Sequence, residues 1–197
     1  MDLEFEEEIV ELERKILDHP NKENLVVFFG SSSIRLWENL SNDMEPLNVL
    51  NLGFGGSSFS WCIYYFDRLF TKIRPKHLVI YVGDNDLANG IPPEKVLKKF
   101  RMLTNMVRST FPKIPLDFIT IKPSPIRTYL LPEIRLTNSL IRKELMALNK
   151  ASLINVFDSM LNEKGVARPE LYLDDQLHMN EKGYKIWRGV VRKHLGI

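Results

Sequence analysis

Apolar and polar positions fall in blocks along this chain. Five short runs are almost continuously apolar: Leu25–Phe29, Asn48–Leu52, His77–Val82, Leu116–Ile121 and Leu153–Phe157. Runs of this length, rich in Val, Ile, Leu and Phe, predict strands buried on both faces, as in a parallel sheet. The longer stretches between them carry apolar residues at helical spacing. Residues 2–18 place Leu3, Phe5, Ile9, Leu12, Ile16 and Leu17 on one stripe, with acids crowding the first turn, where the helix dipole favours them. That pattern predicts an amphipathic helix ended by His19-Pro20. It packs outside the sheet or serves a dimer contact, and the first is the more economical expectation.

A short helix is expected through Leu36–Leu40. A longer one spans about Ser60–Lys72, with Trp61, Tyr64, Tyr65, Leu69 and Phe70 on its apolar side. Another opens at Pro92 or Pro93 and runs to Thr110, proline being well placed in a first turn. Two more cover Pro132–Asn149 and Asn180–His194, and Lys122-Pro123-Ser124-Pro125 reads as a rigid turn. Strands alternating with helices imply right-handed crossovers and an all-parallel sheet. The expected fold is α/β, a three-layer α/β/α sandwich with a flavodoxin-like, doubly wound sheet of five parallel strands. With the first strand near the centre, the loops after strands one, two and three become neighbours at the switch point.

Composition narrows the class. A length of 197 residues without a Pro/Gly/Ser-rich linker predicts one domain over 1–197, the first 20 residues forming a helix on its core. A net charge of +2, with Lys and Arg scattered among acids, gives no reason to expect nucleic acid. Cys62 is the single cysteine, so no internal disulfide or Cys-rich metal site forms, and a reducing, cytoplasmic setting is expected. The acidic start does not resemble a signal peptide, and no apolar stretch is long enough to span a bilayer.

The polar residues that interrupt these blocks cluster at strand ends. Leu25–Phe29 runs into Gly30-Ser31-Ser32-Ser33, the second strand into Gly53-Phe54-Gly55-Gly56, and the third into Gly83-Asp84-Asn85-Asp86. Leu173-Asp174-Asp175-Gln176-Leu177-His178 precedes the last helix. Taken singly, each has a plain structural reading: Ser32 and Asp175 as helix caps, Asn85 and Asp86 as turn formers, the glycines as a tight turn, His178 as a surface residue. Taken together they supply what acyl transfer requires: a hydroxyl, a base, a carboxylate to orient the base, and donors aimed at an oxyanion.

Ser32 offers the hydroxyl, His178 the base and Asp175 the carboxylate three residues before it. Gly56 offers a backbone N–H that a ligand can approach closely, and Asn85 an uncharged amide donor. Asp84 and Asp86 lack a His or Glu at metal-ligand spacing, so neither a metal nor another cofactor is expected. The glycine spacing only partly matches a dinucleotide fingerprint, because Ser58 stands where its third glycine belongs. No Gly-x-Ser-x-Gly elbow occurs.

The four blocks, in this order, resemble those of the SGNH hydrolases, also called GDSL-type esterases and lipases. Gly30–Trp37 and Ile121–Pro125 are most similar to the branch related to platelet-activating-factor acetylhydrolase. The resemblance implies a serine esterase with Ser32 as nucleophile, His178 as general base and Asp175 as its orienting carboxylate. It also implies an oxyanion hole formed by the N–H groups of Ser32 and Gly56 and the side chain of Asn85. Two positions depart from the pattern: Ser31 stands for the usual Asp and Ser33 for the usual Leu. The implied partner is a small-molecule ester, and activity is expected to fall on acidification as the imidazole base protonates.

The leaving group stays open among an alcohol, a thiol and an acetylated sugar hydroxyl. Phe54, Phe59, Trp61 and the 126–131 loop line an acyl pocket or belong to the core. A non-catalytic binding module on the same fold is the competing reading, and a nucleotide-binding flavodoxin-like protein, stabilised by FMN or NAD, a more remote one.

Overall fold

The computed structural model describes residues 5–197. Among them, β1 (Val26–Gly30), β2 (Val49–Gly53), β3 (His77–Tyr81), β4 (Leu116–Ile119) and β5 (Ala151–Ile154) form one parallel sheet in the order β2-β1-β3-β4-β5. The fold expectation therefore holds: a parallel sheet covered by helices on both faces. Alternate residues of β1 feed two separate cores. Val27 and Phe29 join Phe54, Phe66 and Phe70 on one face, while Val26 and Phe28 join Trp37 and Trp187 on the other. Each such buried side chain contributes about 1.5–3 kcal/mol relative to exposure.

The first face is covered by α1 (Glu6–Asp18), α4 (Phe59–Phe70), α6 (Pro93–Thr110) and α7 (Leu131–Met146), with the short α5 (Asp84–Ala88) at its rim. The second is covered by α2 (Ser32–Arg35), α3 (Leu40–Asp43) and α8 (Glu181–Leu195). No helix among the described residues is long and apolar enough to cross a membrane.

Register brings the chemistry to one edge. Gly30 pairs with Gly53 on one side and Tyr81 on the other, so β1, β2 and β3 end level. Gly30 has φ +135°, and a Cβ there would lie 1.9 Å from the Tyr81 carbonyl oxygen. Only glycine lets β1 end so close to β3.

Several expectations shift. The helix expected at 36–40 is not formed there: α2 precedes it and α3 starts at its last residue, because Ser31 O already accepts from Ile34 N at 2.9 Å and starts a helical turn at Ser32. The fifth strand lies at Ala151–Ile154 rather than Leu153–Phe157. Val156 N and Phe157 N both donate to Thr120 Oγ1 at 3.0 Å, so the chain leaves the ladder while staying buried. Tyr64 and Leu17 are 50% and 54% exposed, and Phe66 rather than Tyr64 fills the core side of α4. Leu3 lies outside the described residues.

Candidate active site

Ser32 is the first residue of α2, directly after β1. The ladder carries on past it: Ser31 N donates to Tyr81 O and Phe54 N to Gly30 O, each at 2.9 Å. Asp175 and His178 sit in a closed turn before α8. Asp175 Oδ1 accepts from Leu177 N and His178 N, both at 2.9 Å, and Leu173 N donates to His178 O at 2.8 Å. Gln176, at the apex, holds φ +55°. Asn180 then starts α8 by accepting from Lys182 N and Gly183 N.

This turn faces β1 across the sheet edge. His178 Nδ1 lies 2.6 Å from Asp175 Oδ2, and His178 Nε2 lies 3.2 Å from Ser32 Oγ, across 146 residues of sequence. With Nδ1–H donating to the carboxylate, Nε2 is free to accept from the hydroxyl. Burial acts to raise the Asp175 carboxyl. Hydrogen bonds from the imidazole and from the Leu177 and His178 N–H groups outweigh it, leaving the group lowered to about 2. It is therefore anionic near neutral pH.

The neighbouring serines have other surroundings. Ser31 is fully buried and its Oγ faces Asn85 Nδ2 at 3.4 Å, while the Ser33 carbonyl accepts from Tyr184 Oη. Of the three adjacent serines, Ser32 is the one with an imidazole at hydrogen-bond distance. Asn85 also donates from Nδ2 to Ser57 O at 3.1 Å. That carbonyl follows Gly56, which holds φ +64° in the turn after β2, so the Gly56 loop and the Asn85 amide are tied together beside Ser31. All five residues expected from sequence thus gather at one end of the sheet. Phe54 and Phe59 do not line a pocket. Both are fully buried, and Phe59 stacks on Phe118.

Further residues hold this site in roles the sequence reading did not give them. Arg127, in the helical turns Pro125–Leu130, donates from Nη2 to Asn85 Oδ1 at 2.9 Å and from Nη1 to Asp84 Oδ2 at 3.1 Å. The guanidinium thereby fixes which way the Asn85 amide points. Asp86 accepts from Phe59 N and from Lys99 Nζ, so it takes up the first N–H of α4 and pairs with a lysine of α6. Lys122 is buried, its Nζ donating to Ser124 Oγ and Leu177 O at 2.9 Å each, so it grips the peptide between Asp175 and His178. Burial lowers its pKa to about 8, with Arg127 acting in the same direction and Asp84 and Asp175 opposing. A lysine closing the apolar run Leu116–Ile121 was the available signal. Among the described residues, no group of three or more His, Cys, Asp or Glu is arranged to hold a metal ion.

An all-parallel α/β sandwich with hydroxyl, imidazole and carboxylate in file at its carboxyl edge defines a serine-hydrolase type of protein. The model of the GDSL-like lipase/acylhydrolase family matches residues 28–186, and the chain belongs to that family, whose members are serine hydrolases acting on esters. No curated protein sequence matches the chain. Solved structures share the fold at low identity. A Streptococcus pneumonia protein named for platelet activating factor has a TM-score of 0.85 at 17% identity, covering 98% of this chain and 94% of its own. A GDSL-like lipase from Bacteroides thetaiotaomicron gives 0.77 at 19%, covering 95% and 98%. A family 3 carbohydrate esterase of Clostridium thermocellum gives 0.67 at 14%, covering 86% and 93%.

Proposed function

We propose that this protein hydrolyses short-chain acyl or acetyl esters through Ser32, His178 and Asp175. The observation that carries the reading is the unbroken file of contacts, 3.2 Å from Ser32 Oγ to His178 Nε2 and 2.6 Å from His178 Nδ1 to Asp175 Oδ2. Ser32 Oγ attacks the ester carbonyl carbon while its proton passes to His178 Nε2, and Asp175 stabilises the imidazolium that forms. The carbonyl oxygen takes the negative charge and receives the N–H groups of Ser32 and Gly56 and the Asn85 amide. Collapse expels the alkoxide, which His178 protonates. Water then repeats the sequence on the acyl-enzyme, releasing the acid and restoring the Ser32 hydroxyl.

A carbohydrate acetylesterase within this reading is favoured by one feature. A groove of about 560 Å³ runs between the 36–43 segment and α8, bordered by Leu36 one turn beyond Ser32 and by Leu173 of the His178 turn. Glu38, Asn39, Glu181 and Lys185 give it polar walls suited to a polyhydroxylated leaving group. The structural similarity to a carbohydrate esterase accords with that.

The test is turnover of p-nitrophenyl acetate by wild type and Ser32→Ala, beside acyl esters of increasing length and acetylated sugars. Wild type is expected to turn over the acetate, and Ser32→Ala to lose at least about 10³-fold in kcat. Equal rates from the two proteins reject Ser32 as nucleophile, and no rate from either on any ester favours a binding module.

A further inference from the structure

The stretch matched by the family model begins at residue 28, and α1 lies wholly before it. Yet α1 reaches the oxyanion loop. Glu8 Oε2 accepts from the backbone N–H of Gly55 at 2.9 Å and lies 3.5 Å from Arg35 Nε. Gly55 immediately precedes Gly56, and Arg35 ends the helix that Ser32 begins. One carboxylate is therefore shared between the loop that carries an oxyanion donor and the helix that carries the nucleophile.

The fit at Gly55 is close. A Cβ there would lie 3.0 Å from Glu8 Oε1 and 3.3 Å from the Arg35 guanidinium, so the position is moulded around this contact. Phe5 adds an apolar lid. Its ring meets Phe54 edge-on at 5.4 Å and Trp61 at 5.5 Å, and it would touch a Cβ on Gly56 at 3.8 Å. The docking of α1 does not depend on Glu8. Ile9, Leu12 and Ile16 are buried in the core, and Arg68 of α4 is held by Glu6 at 2.6 Å and Glu13 at 2.7 Å. Glu8 is thus presented from a rigid, separately anchored base.

We infer that Glu8 is a positioning residue for the reaction, with α1 acting as a strap that fixes the 53–56 loop so that the Gly56 N–H meets the oxyanion. The inference rests on the esterase reading given above and extends it to a segment outside the matched domain. The contact with Gly55 N–H exists before substrate arrives, so its loss leaves the peptide free to tilt. A donor displaced by a fraction of an ångström loses part of its transition-state stabilisation while substrate binding is little changed.

Three proteins, wild type, Glu8→Ala and Glu8→Gln, test this by kinetics and by amide hydrogen exchange of the Gly55 N–H. Glu8→Ala is expected to lower kcat for p-nitrophenyl acetate about 10- to 100-fold with KM within about twofold. Its circular dichroism should match wild type, and Gly55 should exchange faster. Glu8→Gln keeps an oxygen that accepts from Gly55 and should recover most of the lost kcat, although its ion pair with Arg35 is gone. Unchanged kcat in Glu8→Ala, unchanged Gly55 exchange, or a Gln variant no better than the Ala variant would each overturn the inference. Should wild type show no Ser32-dependent turnover, the esterase reading falls instead, and Gly55 exchange alone decides whether Glu8 holds the loop.

Discussion

At the scale of single residues, the candidate site depends on groups that prevent other groups from turning. An amide such as that of Asn85 presents either its NH2 or its oxygen depending on its partners. Here Arg127 donates to the oxygen and Ser57 O accepts from the nitrogen, so the donor end faces Ser31 Oγ, beside the Ser32 position. Asn85→Ala removes that donor and is expected to lower kcat about 10²–10³-fold. Arg127→Ala should cost less, because the amide stays but loses its fixed orientation. If Arg127 works through Asn85, the double variant will be no slower than Asn85→Ala alone, and additive losses in p-nitrophenyl acetate turnover would refute that coupling. Ser32, Asp175 and His178 were legible because each ends a strand or fills a short turn with the right spacing. Arg127 was not, since its partners lie 42 and 43 residues away and nothing in its own neighbourhood distinguishes it from a surface arginine.

At the scale of elements, the strands were legible for a physical reason: both faces of the sheet are covered, so the central strands β1 and β3 are apolar along almost their whole length. The boundaries that moved are those where a side chain replaced a backbone partner. Thr120 takes the N–H groups of Val156 and Phe157, which an apolar pattern alone assigns to the ladder. On the opposite face, α8 is held by Trp187. Its ring is fully buried, 4.9 Å from Tyr81 and 5.8 Å from Trp37, and its Nε1–H points at Met160 Sδ at 3.2 Å. Truncating it leaves a cavity between sheet and helix, so Trp187→Ala should cost about 3–5 kcal/mol. In a chain of this size that corresponds to a fall in melting temperature of roughly 6–20 °C. Because α8 begins three residues after His178, loosening of α8 in this variant should cost activity at temperatures below its melting point. A variant melting within 2 °C of wild type, by about the same scale, would show that α8 is held elsewhere.

At the scale of the whole molecule, the end of the sheet remote from Ser32 carries its own cluster of ionisable groups, and it makes stability depend on pH. Asp117 of β4 is buried. Its Oδ2 lies 2.8 Å from His77 Nε2 at the start of β3 and 3.2 Å from His194 Nε2 near the end of α8, while Ser152 Oγ of β5 donates to Oδ1 at 2.5 Å. Burial acts to raise the Asp117 carboxyl, but the bonds from His194, His77 and Ser152 outweigh it and hold it far below the usual carboxylate range. Its hydrogen bond to Asp117 raises the pKa of His194, against the opposing effect of burial. A lowered carboxyl contributes stability above its unfolded pKa, near 4, and loses it as pH falls through the folded value. A raised imidazole contributes fully below its unfolded pKa, near 6.5, and loses that contribution as pH rises through the folded value. Both contributions are complete between about pH 4 and 6.5, and the histidine's share fades above that window. The difference in melting temperature between wild type and His194→Gln should therefore be largest within that window and shrink as pH rises above it and wild-type His194 loses its proton. Measured by circular dichroism across that range, a difference that does not change with pH would mean that His194 holds α8 to the sheet by packing alone, with its charge contributing nothing.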